Sequence, residues 1–354
     1  MLEFYSPSRH EENLARFLND KLAELGFKNV RLDDVGNVLG EVGEGSPTVL
    51  LCGHMDTVPG RLPVKIEEGK IYGRGAVDAK SSLAAMIVAS SKLIDQQIMG
   101  KVIVAGVVDE EGKGRGIRQL IRNKLGVEYA VFGEPSGIDS ITIGYKGRLL
   151  VKILCETKPG HVGVPRGFDN AINKAYELWS QIEAWASEKK SSDSVFYSTT
   201  ASLTGIRGGE APNVIPSKCT LRIDVRLPPS VNCQKGVGQL NAVIQQFKLE
   251  NPSVELKMRI EDRIEPFIAD KDPVLFKALT QAIEETVKGP VKLLRKTGTG
   301  DMNVFATKTK VPTVTYGPGN SQLSHTLNEY IEIEDYLTSI EVYKRVVTKL
   351  LAVG

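Results

Sequence analysis

The stretch PTVLLCGHMD, residues 47–56, is an apolar run that ends in a histidine and an aspartate. Two further runs, KVIVAGVVDEE at 101–111 and YAVFGEP at 129–135, end in carboxylates. The segments AAMIVASSKLI at 84–94 and GIRQLIRNKL at 116–125 separate these runs and carry apolar residues at helical spacing. Strands that are apolar throughout and alternate with helices predict an α/β domain with a largely parallel sheet covered on both faces.

The flanking segments extend this domain at both ends of the chain. Apolar residues at helical spacing predict a first helix from Ser8 to Leu25, with Gly26 as its C-cap. Near the other end, a helix at 272–287, a strand at 311–317 and a last helix at 333–351 continue the α/β pattern. The first domain is therefore predicted to be discontinuous, with residues 1–146 and 264–354.

Residues 147–263 have a different pattern of apolar and polar residues. RLLVKILCET at 148–157 and KCTLRIDVRL at 218–227 alternate apolar and polar residues, as half-buried antiparallel strands do. Helical patterns at 170–185 and about 237–249 and a strand-like run at 254–261 complete a β-α-β-β-α-β order. This part is predicted to be a small α+β domain inserted into the first.

The bulk composition excludes several classes of function. Among 354 residues the net charge is +2, which favours neither nucleic acid nor an anionic membrane as a partner. The four cysteines are far apart and form no CxxC pair, which argues against a disulfide framework. With no signal peptide and no run of about 18 apolar residues, the expected location is the cytoplasm.

Polar residues that could act on a ligand follow the predicted strands. In α/β sheets ligands collect at the carboxyl ends of strands. The residues at these positions are two histidines and several carboxylates: His54, Asp56, Asp78, Asp109, Glu110, Glu111, Glu134 and His325. Imidazoles and carboxylates together suit zinc, cobalt or manganese. Five candidate ligands with one shared aspartate would suit two metal ions, which can activate water and polarise a carbonyl.

The neighbouring residues suggest a division of roles. Successive strand residues point to opposite sides, so one of Glu110 and Glu111 could bind metal while the other serves as general base and later as acid. Asp56 is better placed to accept the second ring N–H of His54. Each piece alone has a simpler interpretation: His54 and Asp56 as a structural pair, DEEGKG as a solvated turn, and Asp78 as a helix cap.

Five motifs in order resemble the dinuclear-zinc amidohydrolases and metallopeptidases that include acetylornithine deacetylase, succinyl-diaminopimelate desuccinylase, aminoacylase and glutamate carboxypeptidase. The motifs are GHMDTVPG, YGRGAVDAKSSLAA, VVDEEGKGRG, FGEPSG and SHTLNEYI. The resemblance implies a three-layer α/β catalytic domain like that of zinc exopeptidases, with an inserted ferredoxin-like domain for dimerisation or as a lid.

The resemblance also implies a role for each site residue. His54 and Glu134 would hold one zinc ion, Glu111 and His325 the other, and Asp78 would bridge them. Glu110 would be the general base, and Asp56 would orient His54. The peptide bond after Asp78 is a candidate for the cis form, and Ser81 and Ser82 stand where many relatives have glycines.

The inserted domain would add three residues. KPGHVGVP resembles the family segment whose histidine, here His161, reaches the site of a neighbouring subunit and stabilises the oxyanion. GGEAPNVIP and LRIDVRL place Asn213 and Arg226 where relatives contact the substrate carboxylate. A homodimer or a dimer of dimers is implied. Without the resemblance, His161 is a surface loop histidine and Arg226 a solvated strand residue.

In its short length and its compact KTGTGDMNVF segment, the chain most resembles family members that release lysine or ornithine from the terminal glutamate side chain of a small acidic amino-group carrier protein. A deacylase of N-acetylornithine or N-succinyl-diaminopimelate is the alternative, with a carboxypeptidase or dipeptidase third. A binding protein that keeps the metals only for structure remains a competing class.

Overall fold

A computed structural model describes residues 1–163, 167–191, 194–270 and 273–352. The chain divides into two compact units. The first unit comprises Met1–Gly144, Ala269–Arg295 and Gly300–Gly354, and the inserted unit comprises Tyr145–Ile268 and Lys296–Thr299.

The helices and strands have the following bounds. The helices are α1 Glu12–Glu24, α2 Lys80–Ser91, α3 Arg115–Arg122, α4 Ala171–Glu188, α5 Cys233–Glu250, α6 Pro273–Val287, α7 Asp301–Thr309 and α8 Ile333–Leu351. The strands are β1 Lys28–Leu32, β2 Val38–Glu44, β3 Thr48–His54, β4 Lys65–Glu67, β5 Lys70–Tyr72, β6 Gly100–Val107, β7 Tyr129–Phe132, β8 Ser140–Tyr145, β9 Gly147–Glu156, β10 Gly160–His161, β11 Thr200–Gly208, β12 Val214–Ile215, β13 Lys218–Leu227, β14 Glu255–Ile264, β15 Phe267–Ile268, β16 Lys292–Lys296, β17 Thr313–Thr315 and β18 Tyr330–Glu332.

The main sheet of the first unit contains strands in the order β1-β2-β6-β3-β7-β17-β8. The central strands β6, β3, β7 and β17 are parallel to their neighbours within this group. The flanks are antiparallel, because β2 pairs antiparallel with β1 and β6, and β8 with β17. The prediction of a largely parallel sheet therefore holds for the centre and is wrong at the edges.

Helices cover the centre of this sheet. All residues of β3 are buried, as are all but one of β6, so neither strand has a solvated face. Helix α8 packs against α2 and α6, and α3 packs against α7. This is the mixed α/β architecture that the apolar runs predict.

Helix α1 begins at Glu12, four residues later than predicted. Pro7 forms an isolated parallel bridge with Thr57, and the Ser6 carbonyl accepts the N–H of Thr57 at 3.0 Å. Ser8 and Arg9 then form a turn in which Arg9 has a φ of 75°, which interrupts helical geometry before Glu12. The first residues of the chain therefore lie along the loop that follows β3.

The inserted unit has its own sheet and core. Its strands run antiparallel in the order β11-β13-β9-β14. Alternate residues of β9 and β13, such as Val151 and Ile223, pack with buried residues of α4 and α5. The chain order β9-α4-β11-β13-α5-β14 is the predicted one. No helix among the described residues of either unit is long and apolar enough to cross a membrane.

Candidate active site

Five segments of the first unit bring the candidate ligands together. His54 is the last residue of β3, Glu110 and Glu111 follow β6, and Glu134 follows β7. These three strands are parallel neighbours, so their carboxyl ends lie at one edge of the sheet. Asp78, just before α2, completes this group together with the more distant His325.

Asp78 lies between the two histidines. Its Oδ1 is 3.2 Å from His54 Nε2, and its Oδ2 is 3.3 Å from His325 Nε2. Ligand atoms of His54, Asp78 and Glu134 lie within 4.8 Å of one another, and so do those of Asp78, Glu111 and His325. Two three-residue clusters therefore share one carboxylate. Sequence reasoning assigned these five residues as ligands, and the structure places them in contact.

The contacts within each cluster are close. His325 Nε2 is 2.7 Å from Glu111 Oε1, and His54 Nε2 is 3.7 Å from Glu134 Oε1. The peptide bond between Asp78 and Ala79 is cis, which confirms the expectation drawn from the family resemblance.

Glu329 holds the backbone that carries Asp78. Its buried Oε1 accepts the N–H groups of Gly75, Val77 and Asp78 at 3.0, 3.0 and 3.1 Å. Its Oε2 accepts from Arg74 Nη1 at 2.8 Å. Sequence reasoning missed this residue. The available signal was a carboxylate four positions after the candidate ligand His325.

Asp56 orients His54 through a different atom from the one expected. The ring Nδ1 lies 2.8 Å from the backbone carbonyl oxygen of Asp56, while the nearer carboxylate oxygen is 3.6 Å away and beyond hydrogen-bonding distance. The carboxylate instead accepts the N–H groups of Glu110 and Glu111, each at 3.0 Å. The carbonyl contact favours the tautomer with the proton on Nδ1, leaving Nε2 free to bind a metal.

The electrostatics of the site reflect crowded negative charge. Burial, followed by the charge of Glu134, raises the pKa of Glu110 well above its usual range. Burial alone would lower the pKa of His54, but Glu134, Asp56 and Asp78 together raise it well above its usual value. Hydrogen bonds that the His325 ring donates to the carboxylates of Asp78 and Glu111 raise the pKa of His325 to about 10.

These pKa shifts indicate whether the site suits divalent cations. The surrounding carboxylates favour the protonated form of both imidazoles, while burial, followed by the charge of Glu134, disfavours ionisation of Glu110. Divalent cations would neutralise this charge in place of the protons, and the N/O donor set is the one that zinc, cobalt and manganese accept. The residues present therefore fit such ions.

Asp301, the first residue of α7, is a further buried acid in this region. Burial raises its pKa well above the usual range, and its charge contributes to the raised pKa of Glu110. Its Oδ2 accepts no hydrogen bond from any described residue.

His161 and Asn213 belong to the inserted unit and are neighbours there. His161 pairs with Val214 across β10 and β12, and the Asn213 carbonyl accepts the N–H of Val162 at 3.3 Å. The His161 side chain is exposed, and its Nδ1 accepts the N–H of Gly163 at 3.0 Å. The motif that suggested His161 ends at positions 164 and 165, which lie outside the described residues.

Arg226 is engaged in a charge network of the inserted unit. Its Nε and Nη2 donate to Asp224 at 2.6 and 3.2 Å. Asp224 also accepts from Arg148 at 2.7 Å. With 29% of its side chain exposed, Arg226 is reachable, but a substrate carboxylate would have to share it with Asp224.

Comparison with known proteins finds a family match and relatives over nearly the whole chain. The profile of peptidase family M20/M25/M40 matches residues 50–349. A protein of Pyrococcus abyssi named as a putative LysW-lysine/LysW-ornithine hydrolase is 35% identical over 351 residues, covering 99% of this chain and 92% of that protein. A LysW-lysine/LysW-ornithine hydrolase of Saccharolobus islandicus is 33% identical over 352 residues, covering 99% and 94%.

Two solved structures share the fold. A tripeptidase of Staphylococcus aureus superposes with a TM-score of 0.82 at 21% identity, covering 100% of this chain and 96% of that one. A metallo-carboxypeptidase of Sulfolobus solfataricus gives 0.79 at 19% identity, covering 99% and 97%.

Proposed function

The chain belongs to peptidase family M20/M25/M40 and is an amide hydrolase, and we propose that it releases lysine or ornithine from the C-terminal glutamate side chain of a small acidic amino-group carrier protein. One observation carries the proposed chemistry: two clusters of histidine and carboxylate ligands share Asp78, and Glu110 adjoins one of their members.

His54 and Glu134 would hold one divalent cation, Glu111 and His325 a second, and Asp78 would contribute to both. The ions would polarise the amide carbonyl and make water at the site more acidic, with zinc the first choice and cobalt or manganese the alternatives.

Glu110 would manage the protons. Its carboxylate takes one proton from the attacking water and delivers it to the amide nitrogen as the C–N bond breaks, so that a free amine and a carboxylic acid result. The acid then loses its remaining proton to give the carboxylate. A buried carboxyl whose pKa is raised holds the proton well between these two steps. In the proposal, His161 of a neighbouring subunit stabilises the oxyanion, and Asn213 and Arg226 contact the carboxylate of the released amino acid. These roles imply a homodimer or a dimer of dimers.

A basic helix beside the site supports a carrier protein as substrate. Residues 112–127 contain five Lys or Arg residues and no acidic residue. Helix α3 lies within this segment and begins four residues after Glu111. Arg115, Arg122 and Lys124 are exposed. A segment rich in Lys and Arg attracts an acidic partner, and this electrostatic attraction weakens as the salt concentration rises.

The first test is hydrolysis by the zinc- or cobalt-loaded enzyme of carrier-linked lysine, carrier-linked ornithine, N-acetylornithine and N-succinyl-diaminopimelate. We expect the carrier-linked substrates to be preferred. Preference for a free acylated amino acid would overturn the substrate assignment in favour of a small-molecule deacylase. Glu110→Gln should lower kcat by about 10²- to 10⁴-fold, and full activity of this variant would overturn the mechanism.

A second test addresses the carrier. Arg122→Ala combined with Lys124→Ala should raise KM for the carrier-linked substrate and leave hydrolysis of a small amide unchanged. Lys28→Ala, an exposed lysine on β1, is the matched control. An unchanged KM in the double variant would remove α3 from the docking surface.

A further inference from the structure

The backbone N–H groups of Asp109, Glu110 and Glu111 each donate to a buried carboxylate. Glu110 is the candidate base, and Glu111 is the candidate ligand next to it. Asp109 N donates to Glu11 Oε1 at 2.9 Å. Glu110 N and Glu111 N donate to the two oxygens of Asp56, each at 3.0 Å. The position of both glutamates therefore depends on how these carboxylates are held.

Ser8 holds the Asp56 carboxylate. Its hydroxyl donates to Asp56 Oδ2 at 2.7 Å, so this oxygen accepts from Ser8 and from Glu111 N together. Asp56 is fully buried, and Ser8 is only half-buried. Because Ser8 is only half-buried, its hydroxyl could donate to water instead, so burial alone does not force it to bond to the Asp56 carboxylate.

The segment before α1 places Ser8 for this contact. Pro7 bridges to Thr57, and the Ser6 hydroxyl donates to the Met55 carbonyl at 2.8 Å. The Phe4 carbonyl accepts from Lys80 Nζ at 2.7 Å. These contacts anchor the segment to the loop after β3 and to α2, but none of them involves the Asp56 carboxylate.

We propose that Ser8 is a positioning residue for hydrolysis: its hydroxyl fixes the Asp56 carboxylate, which in turn holds the backbone of Glu110 and Glu111 in place. Glu11 supports the same turn through Asp109. Loss of the Ser8 hydroxyl removes one of the two donors to Asp56 Oδ2, so the carboxylate that accepts both backbone N–H groups is held less firmly. The inference rests on the proposed roles of Glu110 and Glu111.

The test compares Ser8→Ala, Ser8→Thr and Ser6→Ala in the metal-loaded enzyme. Partners behind the ligands and bases of metal sites typically contribute about 10- to 100-fold to affinity or activity, so Ser8→Ala should lower kcat by about that factor with KM nearly unchanged. Ser8→Thr keeps the hydroxyl and should restore most of kcat. Ser6→Ala removes a hydrogen bond from the same segment and should leave kcat within about two-fold of wild type.

Cobalt titration of the metal-free protein, followed by its visible absorption, gives a readout independent of turnover. Ser8→Ala should weaken cobalt binding, because Glu111 is less well held, while Ser6→Ala should bind as wild type does. Thermal melting separates folding from positioning, since Ser6→Ala should destabilise the protein at least as much as Ser8→Ala.

Two results would overturn the inference. One is a Ser8→Ala variant with wild-type kcat and cobalt affinity, and the other is equal loss in Ser6→Ala and Ser8→Ala. An active Glu110→Gln variant would instead overturn the proposed mechanism, whatever Ser8 does. An inactive Glu110→Gln together with a normal Ser8→Ala would refute this inference alone.

Discussion

Replacing Glu329 with Gln should loosen the segment that carries Asp78. The side chains of Arg74 and Glu329 are 7% and 0% exposed, so their ion pair is removed from water. Gln keeps the shape of the side chain and one carbonyl oxygen. That oxygen can satisfy either Arg74 or the three backbone N–H groups, and the amide NH₂ then points at donors on the other side.

The expected cost follows from this mismatch. Breaking a buried ion pair by changing one partner costs about 3–5 kcal/mol. Arg74 also donates to the carbonyls of Gly60 and Thr326, at 3.0 and 2.9 Å, and keeps these partners in the variant. The cost should therefore lie at the lower end, about 3 kcal/mol, or roughly a 150-fold change in an opening equilibrium.

Amide hydrogen exchange of Gly75, Val77 and Asp78 measures this opening directly. We expect their exchange in Glu329→Gln to be faster by about two orders of magnitude, while amides in the core of the inserted unit are unaffected. Adding Arg74→Met removes the unpaired cation and should recover part of the protection. Exchange within about three-fold of wild type in Glu329→Gln would refute the view that this carboxylate holds the segment.

Three further predictions concern metal, pH and packing. Chelation should abolish hydrolysis and lower the melting temperature, because a free metal concentration of 100 times the Kd of one site adds about 2.7 kcal/mol to the free energy of unfolding. An unchanged melting temperature would contradict metal binding by these clusters. Burial lowers the pKa of Lys80 from 10.5 to about 8, so the unfolded chain binds more protons than the folded protein between these two pH values. The free energy of unfolding of wild type, compared with that of Lys80→Met, should therefore rise by up to about 3 kcal/mol as the pH increases through this window. Urea unfolding at pH 7.5 and pH 10 measures the difference, and a constant gap would show that Lys80 does not titrate there. Gly116→Ala should lower the free energy of unfolding by about 1–3 kcal/mol in the same assay, because its Cβ would lie 2.5 Å from Asn37 Oδ1 and from the Val108 carbonyl oxygen. A wild-type midpoint would show that Asn37 and the backbone near Val108 can move to accommodate the methyl group.

The strand-end argument explains why much of the site could be predicted from the sequence. Parallel strands with continuous apolar runs place their carboxyl ends at one edge, so His54, Glu111 and Glu134 had to be neighbours once the central strands were paired. Helix α8 was predicted with the bounds that the structure shows, because its apolar periodicity runs its full length. Asp78 and His325 were candidates on the same argument, but their assignment to particular metal ions rested on the family resemblance.

The supporting residues were not predictable in the same way. Glu11 and Glu329 accept backbone N–H groups that are far away in sequence, and Ser8 donates to the Asp56 carboxylate. No apolar period records such contacts. The apolar spacing after Ser8 predicted a helix start, whereas Ser8 and Arg9 form a turn in which Arg9 has a φ of 75°. The atom through which Asp56 contacts His54 depends on a loop conformation, which residue type alone does not determine.

The position of β17 between β7 and β8 has a consequence for synthesis on the ribosome. Residues 129–145 form β7 and β8 early, but their shared neighbour at 313–315 emerges only after the whole inserted unit. The core of the inserted unit draws only on its own residues, so that unit can fold while the first unit still has an open gap in its sheet. A nascent chain in that state exposes the unpaired edge of β7, which is a site for misassociation. His325 and Glu329 leave the ribosome later still, so the candidate site is completed only after the inserted unit and β17 have been made.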